Sequence, residues 1–427
     1  MRLPFQFGST EVRETAEAHA RVVVEVDGVS CAGRSAQLMV PRWFDKRAEL
    51  DNAATIEELR QTLRAAVAHS PGLAGTALRV TRDLRAAVAE ALPDAPALAA
   101  GFGPALLEMA VIDALCQAKG VPFWKAAQAD LFGLCDGAPP DVSVDVLRQS
   151  LASIGAPDRA VLRHTIGFDA PLWVADVGPD APKDGLPIAL EDVINRTGIR
   201  AFKIKLKGDP EADLSRLRAI TGVVGGLGDL TASLDANEQY TPDAFSAFLT
   251  GLESDPACAP LRAAVRFVEQ PFAREIALEQ PVAAALPMII DESDDSEDAF
   301  ARALTLGWSG TSIKSCKGVL RALLNKARAE AAGAILSGED LTCQPGLCWQ
   351  QDTAMMAACG VPDVERNGHH FAGGLQGAPD AERRHLLATH ADIYAEGASG
   401  VSLGIVDGAV TIGSLNTPGF GCNTRAF

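Results

Sequence analysis

Short apolar runs with strand-forming residues recur along the chain from about residue 160, and helical patterns separate them. Six runs stand out: Ala201–Leu206, Ala232–Leu234, Val265–Val268, Met288–Ile290, Thr311–Ile313 and Ala334–Leu336. One helical pattern begins at Thr241-Pro242, where a threonine N-cap precedes a proline in the first turn. Strands that alternate with helices in this way form parallel sheets. The spacing of about 30 residues per strand–helix unit is that of an eight-stranded α/β barrel.

The first 135 residues follow a different pattern. Val22–Val26 reads as a strand, and the Asp27-Gly28 that follows is a tight-turn signal. Thr55-Ile-Glu-Glu58 matches a capping box, so a helix is predicted to begin there. Strands followed by helices predict a small α+β domain over residues 1–135. We predict the barrel over residues 136–395, and strands and turns in residues 396–427 that return to the first domain.

The acidic composition limits the partners. The chain has 427 residues, a hydrophobic fraction of 48 %, which is enough for a substantial core, and a formal net charge of −17. Nucleic acids and anionic membranes attract basic patches, so we expect neither as a partner. The chain has no uncharged run of about 18 apolar residues that could span a membrane. Residues Met1–Gly8 lack the apolar region of a secretory signal.

Nine cysteines are scattered along the chain, and no CxxC pair occurs. Cys343 and Cys348 lie nearest each other, but no second pair or nearby histidine completes a zinc site. Ordinary buried thiols in a reduced protein are the interpretation that fits this pattern. We therefore predict a cytoplasmic location.

Charged side chains stand at the C-terminal ends of five predicted strands. They are Lys205, Asp235, Glu269, Asp291 and Lys314, separated by steps of 30, 34, 22 and 23 residues. Each step is roughly one strand–helix unit. In a parallel barrel these strand ends share one rim, so the five side chains are expected to converge over the barrel mouth.

Three carboxylates on successive strands repel each other unless a cation compensates them. Hard oxygen ligands favour Mg²⁺ or Mn²⁺ over zinc. Lys203 alternates with Lys205 on one strand face, and we expect each lysine to lower the pKa of the other. A lysine base beside a bound metal suits one reaction in particular. The proton alpha to a carboxylate is very weakly acidic, and its removal requires a positive counter-charge.

The joint pattern resembles the enolase superfamily, and within it the muconate-lactonizing enzyme (muconate cycloisomerase) subgroup. The residues that carry the resemblance are Lys203-x-Lys205, Asp235-x-Asn237, Glu269-Gln-Pro271, Asp291-Glu-Ser293 and Lys314. Glu108–Phe123 is similar to the helix that leads into the family's barrel, and the first hundred residues are similar to its capping domain. The resemblance implies a (β/α)7β modified TIM barrel with an N-terminal α+β capping domain.

By this resemblance, Asp235, Glu269 and Asp291 are metal ligands. Lys205 on the second barrel strand and Lys314 on the sixth are the catalytic lysines, with Lys203 as the supporting lysine. The implied reaction is Mg²⁺-dependent removal of the alpha proton of a small carboxylate, giving a metal-stabilised enediolate. Racemisation or epimerisation is the first hypothesis, and dehydration or cycloisomerisation is the alternative. A non-catalytic binding protein is a third possibility. The resemblance also favours a homo-oligomer.

Further candidates surround this set. We predict five substrate contacts: Asn237, Glu339, Asp340, His369 and His370. Taken singly, the acidic residues among them could be helix caps, and the two histidines could instead form a second metal site. Lys207 is a rival base, and Glu238 is expected to be solvated.

The mandelate-racemase branch of the superfamily is disfavoured. That branch would place a histidine after the seventh strand, paired with an aspartate on the sixth, where this chain has Gly338-Glu339-Asp340 and Lys314. Specificity is expected to come partly from the first domain, which would close the barrel mouth. Its candidate segments are Phe5–Thr10 and Gly33–Met39 with nearby Trp43.

Overall fold

Two β-ribbons begin the chain in the computed structural model, which describes residues 1–8, 10–366, 369–375 and 377–422. Strands β1 (Phe5–Phe7) and β2 (Thr10–Val12) pair antiparallel, as do β3 (Glu17–Val26) and β4 (Val29–Leu38). The second ribbon turns at Asp27-Gly28, where both residues have positive φ, +53° and +77°. A two-residue turn of this kind requires that conformation, so the sequence signal is confirmed.

Six helices follow the β3–β4 ribbon along the chain. They are α1 (Asn52–His69), α2 (Ala77–Ala91), α3 (Ala97–Ala100), α4 (Phe102–Lys119), α5 (Phe123–Gln128) and α6 (Val144–Ala152). The central helix α4 packs on both strands of the ribbon and on α1. A Cβ at Gly33 would lie 2.1 Å from the carbonyl oxygen of Ala110, so the ribbon approaches α4 as closely as only glycine permits.

The apolar character of this region belongs to the core. The stretch Ala97–Lys119 is long and apolar enough to cross a membrane, but 83 % of its apolar window is buried inside the fold.

The start of α1 differs from the prediction. Asp51 is the N-cap and accepts a hydrogen bond from the N–H of Ala54, so the capping box at Thr55 was wrong by one helical turn.

Eight parallel strands form the barrel. They are β5 (Arg159–Ile166), β6 (Ala201–Lys205), β7 (Thr231–Asp235), β8 (Val265–Glu269), β9 (Met288–Ile290), β10 (Gly310–Ile313), β11 (Ile335–Gly338) and β12 (Val364–Glu365). Each pairs with the next, and β12 pairs with β5, which closes the barrel. The six strands predicted from the sequence are confirmed as β6 to β11.

Helices follow the barrel strands. They are α7 (Leu190–Thr197), α8 (Pro210–Val224), α9 (Pro242–Ser254), α10 (Ala259–Ala264), α11 (Arg274–Ala277), α12 (Ala299–Thr305), α13 (Val319–Ala332), α14 (Leu347–Cys359) and α15 (Asp380–Thr389). Thr241 caps α9 as predicted, with its hydroxyl accepting from the N–H of Ala244. The last helix, α15, packs on the strand that follows it. The fold is therefore the modified barrel with a capping domain that the sequence predicted.

The C-terminal segment contacts both parts of the molecule. Strands β13 (Tyr394–Gly397) and β14 (Gly400–Leu403) form a ribbon, and β15 (Ala409–Thr411) pairs antiparallel with the start of β5. Further on, the Phe420 N–H donates to Asp113 in α4, and the Phe123 N–H of α5 donates to Gly419. The tail thus joins the first barrel strand to the capping domain.

An apolar cluster lies between the cap and the C-terminal rim of the barrel. The cap contributes aromatic side chains, among them Phe5, Trp43 and Phe44, and the barrel loops contribute Leu341 and Phe371. The cap therefore covers the rim at which the polar strand ends meet.

Candidate active site

Strand register places the predicted rim residues at one level. Lys205 is paired with Asp235, and Asp235 is paired with Glu269, on three adjacent strands. Asp291 and Lys314 directly follow β9 and β10. All five side chains are buried. The structure brings together every metal ligand and catalytic lysine that the sequence predicted.

Lys203 lies two residues before Lys205 on β6, deeper in the barrel, and its ammonium group faces four carboxylates. Its Nζ is 3.0 Å from Asp235, 2.8 Å from Glu269 and 2.9 Å from Glu365, and it also contacts Glu339. Burial works against the ammonium charge, but the four carboxylates outweigh it and raise the pKa of Lys203 well above its usual range. The predicted lowering of this pKa was wrong. Lys203 is a fixed positive charge among the carboxylates.

Lys205 is held by its neighbouring strand. Its Nζ donates to Asp235 Oδ2 at 2.5 Å and to Asn237 Oδ1 at 2.9 Å. The amide of Asn237 in turn donates to Glu292 Oε1 at 3.2 Å, and its backbone has a φ of +43°. Left-handed backbone at residues other than glycine concentrates at functional sites. Asn237 thus orients Lys205 from a strained turn.

Lys314 approaches from the sixth barrel strand. Its Nζ donates to Asp291 Oδ1 at 2.8 Å and lies 3.4 Å from Glu339. Burial disfavours the charge, but Asp291 and Glu339 overcome this and raise the pKa of Lys314 well above its usual range. Lys317 also contacts Asp291, with its Nζ 2.9 Å from Oδ1. Two cations therefore flank this one carboxylate.

Three carboxylates at the rim lie close enough together to hold a metal ion. Glu269, Asp291 and Glu339 each offer an oxygen, and these oxygens lie within 4.8 Å of one another. Burial and the charges of Asp235 and Glu339 raise the pKa of Glu269 well above its usual range. An all-oxygen set of mutually repelling carboxylates fits a hard divalent cation. Asp235 is turned towards Lys203 and Lys205 instead.

The two acidic substrate-contact candidates after the seventh strand lie in different surroundings. Glu339 joins the carboxylate cluster and accepts hydrogen bonds from Arg163 and Ser337 at 2.8 and 2.7 Å. Asp340 forms an ion pair with Arg366, outside that cluster. Glu339 therefore stands beside the predicted metal ligands, and Asp340 does not.

The two histidines contact residues other than the rim lysines. The carbonyl of His369 accepts from Arg2, and the His370 ring lies 4.6 Å from that of Phe371 and 5.9 Å from that of His164. Burial lowers the pKa of both His369 and His370 to about 4. Among the described residues, no hydrogen bond, ion pair or ring contact links either histidine to the candidate lysines. Their role in substrate binding stays a prediction.

Several buried charges at the site were missed in the sequence. Glu365 ends the eighth strand and contacts Lys203, and Arg163 on the first strand binds Glu339. Lys317 lies one turn beyond Lys314. A search of the ends of all eight strands would have found Glu365. Arg163 and Lys317 carry no such positional signal.

Two further expectations can be compared with the structure. Lys207 is half-exposed and lies 3.4 Å from Asp169, so it does not join the other lysines. Glu238 was expected to be solvated, which was wrong. It is buried between Arg274, at 2.9 Å, and Lys46 of the cap. Lys46 lies almost 200 residues earlier in the chain, and Arg274 follows the next barrel strand. The spacing of residues around Glu238 therefore does not predict either ion pair.

The cap closes the barrel mouth. The ring of Phe5 lies 5.9 Å from Lys205 Nζ, and the ring of Trp43 lies 5.4 Å from Lys314 Nζ. Lys46 adds a polar contact, with its Nζ 3.3 Å from Glu292 Oε1. Two of the cap segments predicted from the sequence therefore lie directly over the two lysines, where they shield them from water.

Comparison with known proteins agrees with this architecture. The model of the family described as "Enolase C-terminal domain-like" matches residues 188–423. No curated protein matches the chain at a significant level.

Solved structures of three proteins illustrate the likeness. A mandelate racemase/muconate lactonizing protein from Herpetosiphon aurantiacus has 20 % identity and a TM-score of 0.60, covering 99 % of this chain and 94 % of that one. A mandelate racemase/muconate lactonizing enzyme from Roseovarius nubinhibens ISM, complexed with magnesium, has 18 % identity, a TM-score of 0.53 and coverages of 94 % and 92 %. The substrate-liganded L-Ala-D/L-Glu epimerase from Bacillus subtilis has 18 % identity, a TM-score of 0.59 and coverages of 98 % and 94 %.

Proposed function

Because the chain belongs to the enolase superfamily, whose family model covers more than half of its length, we propose that it removes the proton alpha to a substrate carboxylate. The most specific form of the proposal is a racemase or epimerase of a small carboxylate, such as an amino-acid derivative or dipeptide. Lys205 and Lys314 are the proposed acid–base pair.

The position of these two lysines carries the proposal. Strands β6 and β10 are four apart in a closed barrel of eight, so their ends face each other across the mouth. An alpha carbon bound between them has one amine on each face. One lysine takes the proton and the other returns a proton to the opposite face, which inverts the configuration. An enzyme that only eliminates a leaving group has no need of the second amine.

We propose that Asp235, Glu269 and Asp291 hold a magnesium ion, with manganese as a substitute. Glu339 is a fourth carboxylate within reach of the same position. A bound divalent cation supplies the positive charge that lowers the cost of the enediolate. The magnesium complex of the Roseovarius protein supports this choice of metal.

The remaining polar residues have positioning roles in this scheme. Lys203 spreads one positive charge over four carboxylates and so keeps Glu269 and Asp235 close together. Asn237 orients the amine of Lys205. Phe5 and Trp43 cover the two amines and exclude water, which strengthens every electrostatic interaction below them.

Solvent isotope exchange tests the proposal. The protein is incubated with Mg²⁺ in D₂O with single enantiomers of a panel of N-acyl amino acids and dipeptides. Deuterium is expected at the alpha carbon together with loss of optical activity. Lys205→Ala and Lys314→Ala are each expected to lower the racemisation rate by about 10²–10⁴-fold. Lys207→Ala is the matched control, because Lys207 is a half-exposed lysine two residues after Lys205.

The two lysine variants also report the stereochemistry. Each is expected to retain exchange with one enantiomer only, because the other lysine still faces that proton. Full-speed racemisation by either variant would refute the two-base assignment.

The alternative is a dehydratase or cycloisomerase that uses the same first step. The name of the Herpetosiphon protein, which includes muconate lactonization, supports this alternative. Formation or loss of an absorbing double bond in the same panel would favour it. From the scattered cysteines we further propose a cytoplasmic location. From the resemblance we propose a homo-oligomer, which sedimentation of the purified protein checks.

A further inference from the structure

A second cavity lies between the cap and the side of the barrel. It has a volume of about 220 Å³. Helices α2, α3 and α4 line it on the cap side, and the loop Asp295–Glu297 and the start of α13 line it on the barrel side. Among the described residues that line it, none is a lysine or carboxylate of the candidate active site. The cavity is therefore separate from the barrel mouth.

Arg321 on α13 lines this cavity without a direct hydrogen-bond or ion-pair partner. Its side chain is nine-tenths buried, and its Nε has no hydrogen-bond partner. Within the described parts of the chain, its guanidinium makes no hydrogen bond and no ion pair within 4 Å. A buried guanidinium without a partner is costly, because it has lost its hydration without gaining an acceptor.

A second guanidinium faces the same space. Arg85 donates from Nη2 to the carbonyl of Lys317 at 2.8 Å, and no carboxylate of the described residues lies within 4 Å of it. Burial lowers the pKa of Arg85 to about 10; the charge of Glu108 opposes this effect, and the charge of Arg321 adds to it. Two arginines thus share one small cavity, and neither forms an ion pair within 4 Å with a described carboxylate.

The acidic side chains around the cavity are engaged elsewhere. Glu297 pairs with Arg82 through two hydrogen bonds, at 2.9 and 2.5 Å. Glu108 accepts from the first two N–H groups of α13, at 2.5 and 3.0 Å. Asp295 makes no ion pair within 4 Å with any described cation; burial raises its pKa, and the charge of Arg321 acts against this rise from a longer distance. None of the three therefore pairs directly with Arg321.

We propose that this cavity is a second ligand site and binds a small organic carboxylate. The two oxygens of a carboxylate match the fork of a guanidinium, and Arg85 and Arg321 can each donate to them. Apolar side chains, among them Leu78, Ala97 and Leu320, form the remaining wall. This wall fits a short hydrocarbon chain, whereas inorganic phosphate would leave it without a partner.

Binding is tested on the full chain in EDTA, so that no metal at the barrel mouth contributes. The probes are butyrate, its neutral isostere butyramide, and inorganic phosphate, measured by calorimetry and thermal unfolding. Butyrate at a hundredfold excess over its Kd is expected to raise Tm by roughly 3 °C, and butyramide is expected to have no effect. Phosphate binding as tight as that of butyrate would overturn the assignment to an organic carboxylate.

Three variants locate the site. Arg321→Leu is expected to weaken butyrate binding at least about tenfold, because a charge-assisted hydrogen bond is lost. It is also expected to raise Tm in the absence of butyrate, since it removes an unpaired buried charge. Asp295→Asn is expected to tighten binding by removing a nearby negative charge. Arg302→Leu, an exposed arginine on α12, is the matched control and should leave the butyrate Kd unchanged.

Two further results would overturn the proposal. One is that the wild-type chain binds no butyrate at concentrations up to about 10 mM. The other is equal butyrate affinity in the wild-type chain and Arg321→Leu. Neither result depends on the metal or on catalysis, so the proposal can fail while the proposed function stands.

Discussion

Two buried acidic clusters lie near the same rim, and they are compensated in different ways. Glu269 and Asp291 are balanced by lysine ammonium groups, and Glu339 by lysines together with Arg163, whereas Asp340 and Asp352 share one guanidinium, that of Arg366. By the distances between their oxygens, both clusters could hold a metal ion, the second one together with Cys343. Proximity of carboxylates therefore does not identify a metal site by itself.

The counter-charge separates the two clusters. Arg366 donates to Asp352 at 2.6 Å and also contacts Asp340, and Ser315 donates to Asp352 as well. A planar guanidinium between two carboxylates leaves little room for a cation. Lysines carry a point charge on a flexible stem, so they can make way for one. We therefore expect metal binding only in the first cluster.

The largest expected effect comes from removing one carboxylate of the first cluster. Glu269→Gln is expected to lower the rate of alpha-proton exchange about 10³-fold or more. The proposed metal ion loses a charged ligand, and the enediolate then lacks the positive charge that the ion would supply. Asp352→Asn, the matched change in the second cluster, is expected to stay within tenfold of the wild-type rate. Exchange of alpha deuterium, measured on folded protein, checks both. Equal losses in the two variants would erase the distinction between the clusters.

Removing the guanidinium of the second cluster is expected to act on stability. Arg366→Met leaves Asp340 and Asp352 buried without a counter-charge, which should lower the free energy of unfolding by about 3–5 kcal/mol. Urea denaturation measures this change. Lys207→Met, which removes a half-exposed cation, is the control and should cost less than about 1 kcal/mol. A loss in Arg366→Met no larger than in the control would show that this cluster needs no arginine.

Metal binding should appear in thermal unfolding. Mg²⁺ at a hundredfold excess over its Kd is expected to stabilise the native state by about 2.7 kcal/mol and to raise Tm by roughly 3 °C. The rise should disappear in Glu269→Gln and persist in Asp352→Asn. The reverse pattern would place the ion in the second cluster.

The smallest expected effect concerns a pair of acidic residues in the cap, whose contribution to the free energy of unfolding should depend on pH. Asp45 and Glu58 share the half-exposed Arg47. Burial, followed by the charge of Asp45, raises the pKa of Glu58 from 4.5 to about 7. Between these values the folded chain keeps a proton that the unfolded chain has released. The stabilising contribution of Glu58 is therefore present below pH 4.5 and is lost as the pH rises through 7.

Glu58→Gln tests this assignment. The difference in unfolding free energy between wild type and variant should change in favour of the variant from pH 4.5 to 7.5, as measured by urea denaturation across that range. A difference that does not vary with pH would mean that folding leaves the pKa of Glu58 unchanged. Such a result would leave Arg47 as a sufficient counter-charge for both carboxylates.

The sequence predicted the barrel and its rim because both are encoded locally. Each of the strands β6 to β10 is a short apolar run that ends next to one charged residue, so position along the chain gives position on the rim. The start of α1 was less predictable, because Asp51 and Thr55 both have side chains that can cap a helix. Only the path of the preceding chain decides between them.

The electrostatics of the site could not be predicted in the same way. The pKa of Lys203 depends on burial and on Asp235 and Glu269 first. It also depends on Glu339 and Glu365, which come from the seventh and eighth strands, more than 130 residues later in the chain. Burial of Glu238 depends on Lys46, which the cap brings in from the other direction. Such charges act through space, and periodicity along a strand contains no information about them.

The C-terminal tail also limits how a substrate can enter. Because β15 is paired with the first barrel strand and Gly419–Phe420 bind α4 and α5, one edge of the cap is fastened to the barrel by backbone hydrogen bonds. The cap cannot lift off as a rigid body without breaking them. Access to Lys205 and Lys314 from the cap side therefore depends on the segments bearing Phe5 and Trp43, whose rings cover the two amines.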